Sequence, residues 1–302
     1  MKIITLCCLF SGTVFLALQS CNKLSSSNNN TPAPKDPGYT INPNTAHVIA
    51  DYDFNDTTLT NHGWTKTFED DFNGDLSNWY LLQGGGIQGE LECYEPGNAT
   101  VSGGVLQIAA KKETVTGPVQ VDSSKTQTFN YTSAWLLSKS TVSANSTTPR
   151  VRIVMRMKAA SAYGLTTVFS TFGDNFPVNG EIVCAEISGY KNNQYGTSYC
   201  FGTSPGHDLV KGAYQFNPTD GDLSASYHVY TTEWSQNAIT YYIDGSLVEV
   251  KTAGNYVPNL FTKTNRISIN LPVGGHNYTN PDTGKINGGA MDIDYVKVFT
   301  SN

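Results

Sequence analysis

The chain has 302 residues, a formal net charge of -6 at pH 7 and only 15% charged residues. Its pI near 5.3 and the absence of Lys or Arg clusters exclude an extended phosphate-binding surface, so we expect no nucleic-acid partner. About 280 residues would remain after removal of a leader, which excludes a mini-protein that depends on metals or disulfides. With 28 Gly, 17 Tyr and 13 Phe, the composition favours strands and turns and predicts an all-β protein.

The N-terminus has the pattern of a secretory signal peptide over residues 1–20. Lys2 precedes an apolar run at residues 3–18, which is too short to form a stable membrane span. Cys21 follows Leu18, Gln19 and Ser20, a sequence that resembles the bacterial lipobox, in which the Cys is lipidated. The resemblance implies an exported protein that is lipid-anchored to the bacterial cell envelope, at the outer membrane or cell surface. Ordinary cleavage that leaves Cys21 unmodified is the alternative.

Residues 21–47 are rich in Ser, Asn, Pro and Thr and contain few large apolar residues. Such a segment buries too little surface to offset the entropy lost on ordering. It is typical of a flexible linker between an anchor and a domain, here a domain at residues 48–302.

Strand patterns dominate this domain. At residues 150–158, Val151, Ile153, Met155 and Met157 alternate with residues of the opposite face, as in a half-buried strand. Residues 239–250 alternate likewise on both sides of Asp244 and Gly245, a pair that favours a type I′ hairpin turn. Further strands are predicted at residues 105–110, 131–139, 165–172, 181–188, 226–234, 266–271 and 290–299. Short strands without helices or repeats predict a two-sheet β-sandwich of the jelly-roll, concanavalin A-like type.

Glu181 and Glu186 lie in one predicted strand, five positions apart. An odd spacing points them to opposite faces of a regular strand, whereas one bulged residue between them would bring both to the same face. Two carboxylates about 5 to 5.5 Å apart on one wall of a cleft are the arrangement that retaining glycoside hydrolysis requires. From the spacing alone, two solvent-facing charges are the more common explanation.

The order of motifs around this pair resembles glycoside hydrolase family 16, the laminarinase and lichenase jelly rolls. The resemblance covers residues 68 to 299. Its motifs are Phe68 to Phe72 with Leu76 and Trp79; Gly89 to Leu91 with Tyr94; Gly104 to Ile108; Tyr131 to Ser133; Pro177 to Glu186; His228 to Tyr230 with Glu233 and Trp234; Tyr242 to Gly245; Asn270 and Leu271 with Gly274 and Gly275; and Met291 to Val298.

The resemblance implies that Glu181 is the nucleophile and Glu186 the acid/base residue, and that no cofactor takes part in catalysis. It also exposes a departure, because the family carries an Asp between the two glutamates where this chain has Val183. Losing one positioned polar group would lower the rate by roughly 10- to 1000-fold.

The resemblance also bears on the cleft. Leu165 and Ser170 stand in the strand where the family carries cleft tryptophans, so Trp135 and Tyr94 become the candidates for stacking on sugars; a core position is the alternative for both. Glu90 belongs to the predicted cleft strand. His228 is a further candidate for substrate contact, although a lone His on an alternating strand is more often a packing residue.

A structural calcium is implied at Asp294, with Glu69 and the carbonyl of Gly104 as partners, because calcium prefers oxygen ligands. The alternative is that Asp294 caps a strand edge. The dispersed Cys and His residues give no zinc motif. Beyond the leader and Cys21, Cys93, Cys184 and Cys200 allow at most one disulfide, and Cys184 with Cys200 is one possible pair.

Three functions therefore compete. The first is a retaining endo-β-glycanase, with β-1,3-glucan preferred over mixed-linkage glucan and galactan. The second is a non-catalytic carbohydrate-binding lipoprotein on a degenerate hydrolase scaffold, and the third is a purely structural surface protein. In the first two, the partner is a polysaccharide, and we expect a monomer that contacts the membrane through its lipid anchor.

Overall fold

The computed structural model describes residues 39–41, 45–87, 89–119, 122–204, 207–211, 214–252, 257–278 and 280–302. The predicted signal peptide, Cys21 and most of the predicted linker lie outside these residues. The helical elements are α1 (Thr57–Thr60) and the 3-10 turns η1 (Pro96–Asn98), η2 (Val257–Leu260) and η3 (Gly275–Asn277). The strands are β1 (Tyr39–Ile41), β2 (Thr65–Asp70), β3 (Trp79–Leu81), β4 (Gly84–Gly85), β5 (Glu92–Tyr94), β6 (Ala99–Ser102), β7 (Val105–Ala110), β8 (Val115–Val119), β9 (Asp122–Phe129), β10 (Tyr131–Ser133), β11 (Trp135–Val142), β12 (Arg150–Lys158), β13 (Thr166–Phe172), β14 (Glu181–Ser188), β15 (Gln194–Ser204), β16 (His207–Lys211), β17 (Gln215–Pro218), β18 (His228–Ser235), β19 (Ala238–Ile243), β20 (Ser246–Thr252), β21 (Asn265–Asn270) and β22 (Gly289–Ser301).

Two large sheets form the sandwich, which confirms the all-β jelly-roll prediction. The nine-stranded sheet has the order β1-β20-β19-β18-β12-β22-β7-β6, with β2 also paired to β22. The eight-stranded sheet has the order β16-β15-β14-β13-β21-β11-β3, with β17 also paired to β15. One continuous core cluster contains residues of both sheets, among them Ile153 and Met155 of β12 and Ile182 and Ile187 of β14.

Local patterns predicted most strands well. The bounds of β7, β12 and β14 coincide with the predicted ones. Asp244 and Gly245 join β19 to β20 with φ values of 47° and 78°, the left-handed conformation that a type I′ turn requires. The predicted strand at residues 131–139 is instead two strands that meet at Ala134. The chain leaves one sheet for another there, because β10 pairs with β5 whereas β11 pairs with β21 and β3.

A third, five-stranded sheet has the order β10-β5-β4-β8-β9. Its strand β5 is fully buried, and an isolated bridge between Glu90 and Gly274 ties the segment before β5 to the loop after β21. This small sheet therefore positions the residues around Glu90 beside the eight-stranded sheet.

A bulge interrupts β14 between its two glutamates. In the pairing with β13, Phe169 lies opposite Ala185 and Ser170 lies opposite Val183, so Cys184 is the extra residue. Cys184 and Ala185 are consecutive, yet both belong to the core cluster. The bulge therefore restores Glu186 to the face that carries Glu181, as predicted.

The proposed pairing of Cys184 with Cys200 is wrong. Cys184 is a buried free thiol on the core face of β14, whereas Cys200 lies directly opposite Glu181 and packs with Phe176. The two side chains therefore point to opposite faces of the sheet. Cys93 is also a buried free thiol. In the described part of the chain, no helix is long and apolar enough to cross a membrane.

Candidate active site

A cavity opens on the face of the eight-stranded sheet that points away from the core. Glu181, Val183 and Glu186 of β14 line it, together with residues of β13, β21 and β11. Both carboxylates are buried, with 8% of Glu181 and 3% of Glu186 exposed. The structure thus brings the two predicted catalytic residues to one cavity, with the Val183 side chain at the same wall.

The environment of Glu181 favours its neutral form. Burial is the largest cause, and the nearby Glu186 carboxylate adds to it, so the pKa of Glu181 rises to about 7. A hydrogen bond from Ser170 and the charge of His276 act in the opposite direction and lower this pKa.

Glu186 is held from the loop that follows β21. His276 Nε2 lies 2.7 Å from Glu186 Oε1, and Asn277 Nδ2 donates a hydrogen bond to the same oxygen. Both side chains lie in η3, after Gly274 and Gly275 with φ values of 74° and 75°. These left-handed conformations, which glycine adopts without a steric cost, turn the chain back toward β14.

His276 has acidic neighbours. Burial disfavours its protonated form, but the Glu186 contact and the charge of Glu181 outweigh burial, so the pKa of His276 is raised overall. Tyr214 also faces Glu186, and burial and this carboxylate raise the pKa of its hydroxyl. A Cβ at Gly196 would lie 2.1 Å from the Tyr214 hydroxyl, so this approach requires glycine.

Trp135 lines the cavity as predicted, beside Phe172 and Phe176. Trp135 Nε1 donates to Ser268 Oγ at 2.8 Å, which fixes the indole plane. The ring centroids of Trp135 and Phe172 are 5.9 Å apart, and Phe172 stacks on Phe176 at 5.0 Å. These three rings form an aromatic wall that suits the apolar face of a sugar.

Tyr94 does not offer a ring face to the cavity, which corrects its predicted stacking role. It is fully buried, and its ring contacts Trp135 edge-on with centroids 5.6 Å apart. Its hydroxyl donates to Glu90 at 3.2 Å and accepts from Asn270 at 3.3 Å. Tyr94 therefore supports Trp135 and Glu90 from behind.

Glu90 lines the cavity opposite β14. Burial, followed by the neighbouring carboxylate of Glu92, raises the pKa of Glu90 well above its ordinary value. Glu92 Oε2 accepts a hydrogen bond from the Val273 amide at 2.8 Å, so Glu92 is tied to the loop after β21. A neutral Glu90 is a hydrogen-bond donor, a suitable partner for a sugar hydroxyl.

His228 is not a cleft residue, and that prediction is wrong. It lies on β18 in the nine-stranded sheet, with 1% of its surface exposed. Its Nδ1 is 2.7 Å from Asp244 Oδ2, the residue of the β19–β20 turn. This satisfied contact makes His228 a packing residue.

The predicted calcium residues lie along one edge of β22, where the side chains of Asp294 and Glu69 each form an ion pair. Asp294 accepts from Arg156 at 2.6 Å, and Glu69 accepts from Lys66. Among the described residues, no group of three or more His, Cys, Asp or Glu side chains is arranged to hold a metal. A calcium ion here would bind the second carboxylate oxygen of Asp294 and main-chain oxygens such as that of Gly104. It stays a prediction, which a fall in Tm on adding EDTA would support.

Sequence reasoning missed His276, Asn277, Tyr214 and the hydrogen bond from Ser170. In the sequence, Ser170 stands out only because the family carries a tryptophan in this strand. His276 directly follows the motif Gly274 and Gly275, and a His at a tight glycine turn is the signal that indicates a polar group there.

A jelly roll with two buried carboxylates and an aromatic wall on the outer face of one sheet defines a carbohydrate-processing cleft. The family model for glycosyl hydrolases family 16 matches residues 94–297. The chain therefore belongs to glycosyl hydrolase family 16.

The chain is similar in sequence to a clotting-factor subunit and to a glucanase. The chain is 28% identical over 249 residues to the clotting factor G alpha subunit of Tachypleus tridentatus, covering 78% of this chain and 34% of that protein. It is 26% identical over 275 residues to glucan endo-1,3-beta-glucosidase A1 of Niallia circulans, covering 84% of this chain and 38% of that protein. The chain thus spans little more than a third of the length of either relative.

Solved structures cover the same region. The endo-beta-1,3-glucanase of Pyrococcus furiosus superposes with a TM-score of 0.67 at 28% identity, covering 79% of this chain and 95% of that one. The laminarinase catalytic domain of Thermotoga maritima gives a TM-score of 0.65 at 25% identity, covering 80% of this chain and 99% of that one.

Proposed function

We propose that this protein is a retaining endo-acting glycoside hydrolase whose substrate is a β-1,3-glucan. The observation that carries the proposal is the bulge in β14, which brings Glu181 and Glu186 into one cavity. The substrate class is supported by the similarity to an endo-beta-1,3-glucanase of known structure.

In this mechanism, the Glu181 carboxylate attacks the anomeric carbon, and the bond to the leaving sugar oxygen breaks as Glu186 donates its proton to that oxygen. The aglycone leaves, and a glycosyl ester of Glu181 remains. Glu186, now charged, accepts a proton from water, and the resulting hydroxide equivalent attacks the same carbon and releases Glu181. Two inversions give net retention.

The electrostatics of the free site set a condition on this mechanism. Glu181 must be charged to attack, yet burial and the Glu186 charge favour its protonation. When Glu186 takes the proton of the pair, the repulsion disappears and Glu181 ionises more readily. The two carboxylates therefore function as a coupled pair that carries a single proton when substrate binds.

The second candidate is a carbohydrate-binding protein without activity. Val183 favours it, because this apolar side chain lies at the cavity wall where the family carries an Asp. The aromatic wall and Glu90 would bind a glycan in either case.

Release of reducing ends from laminarin, lichenan and an agar-type galactan separates the two candidates. We expect release to be fastest from laminarin, with an initially β-configured product by NMR, and to disappear in Glu181→Gln. Glu233→Gln is the matched control, because Glu233 pairs with Arg150 and Arg152 on the nine-stranded sheet, away from the cavity. Tight glycan binding with no release would instead establish the binding protein, and unchanged release in Glu181→Gln would refute the nucleophile assignment.

We further propose that the chain is exported and attached to the bacterial cell envelope through a lipid on Cys21. The support is the sequence pattern at residues 1–21. Mass spectrometry of the mature N-terminus tests it: a diacylglyceryl-modified Cys21 is expected, and an unmodified Cys21 would contradict the anchor.

A further inference from the structure

The strand that carries the two glutamates offers them no polar neighbour at the position between their side chains. Val183 is 1% exposed, points to the cavity, and can neither donate nor accept a hydrogen bond. Two neighbouring buried carboxylates repel each other, and burial strengthens the repulsion. A group elsewhere in the chain must therefore moderate their charge if both are to function.

The loop after β21 supplies such a group. His276 contacts Glu186 Oε1 at 2.7 Å, and Asn277 donates to the same atom, so two side chains fix one carboxylate oxygen. Asn277 also reaches Thr166 Oγ1 at 3.3 Å, which ties the loop to β13. The His276 side chain is 27% exposed, so it can exchange protons with solvent.

We propose that His276 is a positioning residue that holds the Glu186 carboxylate and compensates, from the loop after β21, for the missing polar group at Val183. This inference rests on the proposed hydrolase function. His276 acts through the two glutamates and need not touch the substrate.

The groups facing His276 explain why an imidazole suits this position. Glu181 and Glu186 face it from β14. Glu90 approaches from the segment before β5, where a Cβ at Gly275 would lie 3.1 Å from Glu90 Cγ. Tyr214 faces Glu186 from the segment before β17. Two carboxyl groups thus act on the imidazole, and a third, that of Glu90, lies beside the preceding residue of the turn.

These contacts determine in which direction His276 shifts the pKa of Glu181. A protonated His276 stabilises the charged form of Glu181, so it lowers the pKa of Glu181. Removing the imidazole leaves the repulsion from Glu186 uncompensated, and Glu181 then ionises only at higher pH. Asn277 alone would still hold Glu186 in place, but an amide carries no charge.

The test is the pH dependence of kcat/KM on laminarin for His276→Gln in the full chain. Gln keeps a hydrogen-bond donor but removes the titratable charge. We expect the acidic limb of the profile to move to higher pH by about half a pH unit or more, as one nearby charge does to a carboxylate. His62→Gln is the matched control, because His62 is exposed and its imidazole forms a local hydrogen bond with the carbonyl oxygen of Thr58, away from the two glutamates. A loss that is equal at every pH would overturn the proposal.

A second measurement is independent of activity. NMR titration of the His276 ring in the wild-type chain and in Glu186→Gln should show that His276 loses its proton at lower pH in the variant. If the wild-type chain releases no sugar while His276 responds in this way, the hydrolase function fails and the positioning contact stands. A His276 titration that is unchanged in Glu186→Gln would overturn the inference, even if His276→Gln does not fold.

Discussion

Replacing Glu181 by Gln should stabilise the fold at alkaline pH while it abolishes activity. In the folded chain the pKa of Glu181 is about 7, raised first by burial and then by Glu186, against an ordinary value of 4.5. A carboxyl group with a raised pKa binds its proton more tightly in the folded state than in the unfolded state. Ionisation of Glu181 therefore destabilises the folded state. This loss of stability is absent below about pH 4.5, grows as the pH rises, and is complete above about pH 7.

The size of the effect follows from the two pKa values. Each pH unit between them corresponds to about 1.4 kcal/mol, so the ionised Glu181 destabilises the folded state by up to about 3 kcal/mol at pH 8. Gln has nearly the same shape and does not titrate. The difference in free energy of unfolding between Glu181→Gln and the wild-type chain should therefore grow by about 2 to 3 kcal/mol from pH 5 to pH 8.

Urea unfolding at both pH values measures this difference, because the change with pH cancels effects of the substitution that do not titrate. Glu113→Gln is the control, since Glu113 is exposed. If the difference in free energy of unfolding is the same at pH 5 and pH 8, the conclusion that the fold raises the pKa of Glu181 is refuted. The result does not depend on any substrate, so it tests the site even if no glycan is cleaved.

Four further outcomes are expected. Glu186→Gln should be assayed with an aryl glycoside, whose leaving group departs without a proton from the enzyme. The acidic limb of its kcat/KM profile should move to lower pH, because the repulsion that raises the pKa of Glu181 is gone. An acidic limb that does not move would contradict the electrostatic coupling of the two glutamates. Val183→Asp should raise kcat on laminarin about tenfold if this position matters as it does in the family, and an equal or lower kcat would count against that interpretation. Trp135→Leu should raise KM about tenfold with little change in kcat, from lost stacking; a changed kcat with an unchanged KM would contradict it. His228→Gln should lower the free energy of unfolding by about 1 to 3 kcal/mol and leave kcat unchanged, and a fall in kcat at constant stability would return His228 to the site.

Local chemistry explains why so much of β14 could be predicted. Alternation and flanking turns gave the strand its bounds, but alternation alone places Glu181 and Glu186 on opposite faces. The resemblance to glycoside hydrolase family 16, which implies that both glutamates act in one cleft, favours the bulged alternative, and Cys184 is the extra residue in the structure. A bulge changes no local composition, so only comparison with a known pattern predicts it.

The two histidines show where the sequence was insufficient. His228 lies in a motif of the family pattern, whereas His276 directly follows one, after Gly274 and Gly275. Their partners decide their roles: Asp244, in a turn of the same sheet 16 positions further along, holds His228 in place, and Glu186 lies 90 positions before His276. Periodicity predicts which face of a strand a side chain occupies, but it does not predict which residues the side chain contacts there. For the same reason, Tyr94 could not be distinguished from a stacking residue.

The two glutamates therefore lie on a rigid strand, whereas His276 lies on a turn that tolerates substitution. The carboxylates lie on a strand paired on both sides, and the bulge places Cys184 and Ala185 in the core. Packing therefore resists any relaxation by which the two like charges could separate. The imidazole lies on a short turn whose backbone depends on two glycines. A substitution in that turn changes the charge balance of the site without moving the sheet, and the titratable His276 there offsets the apolar Val183 of the strand.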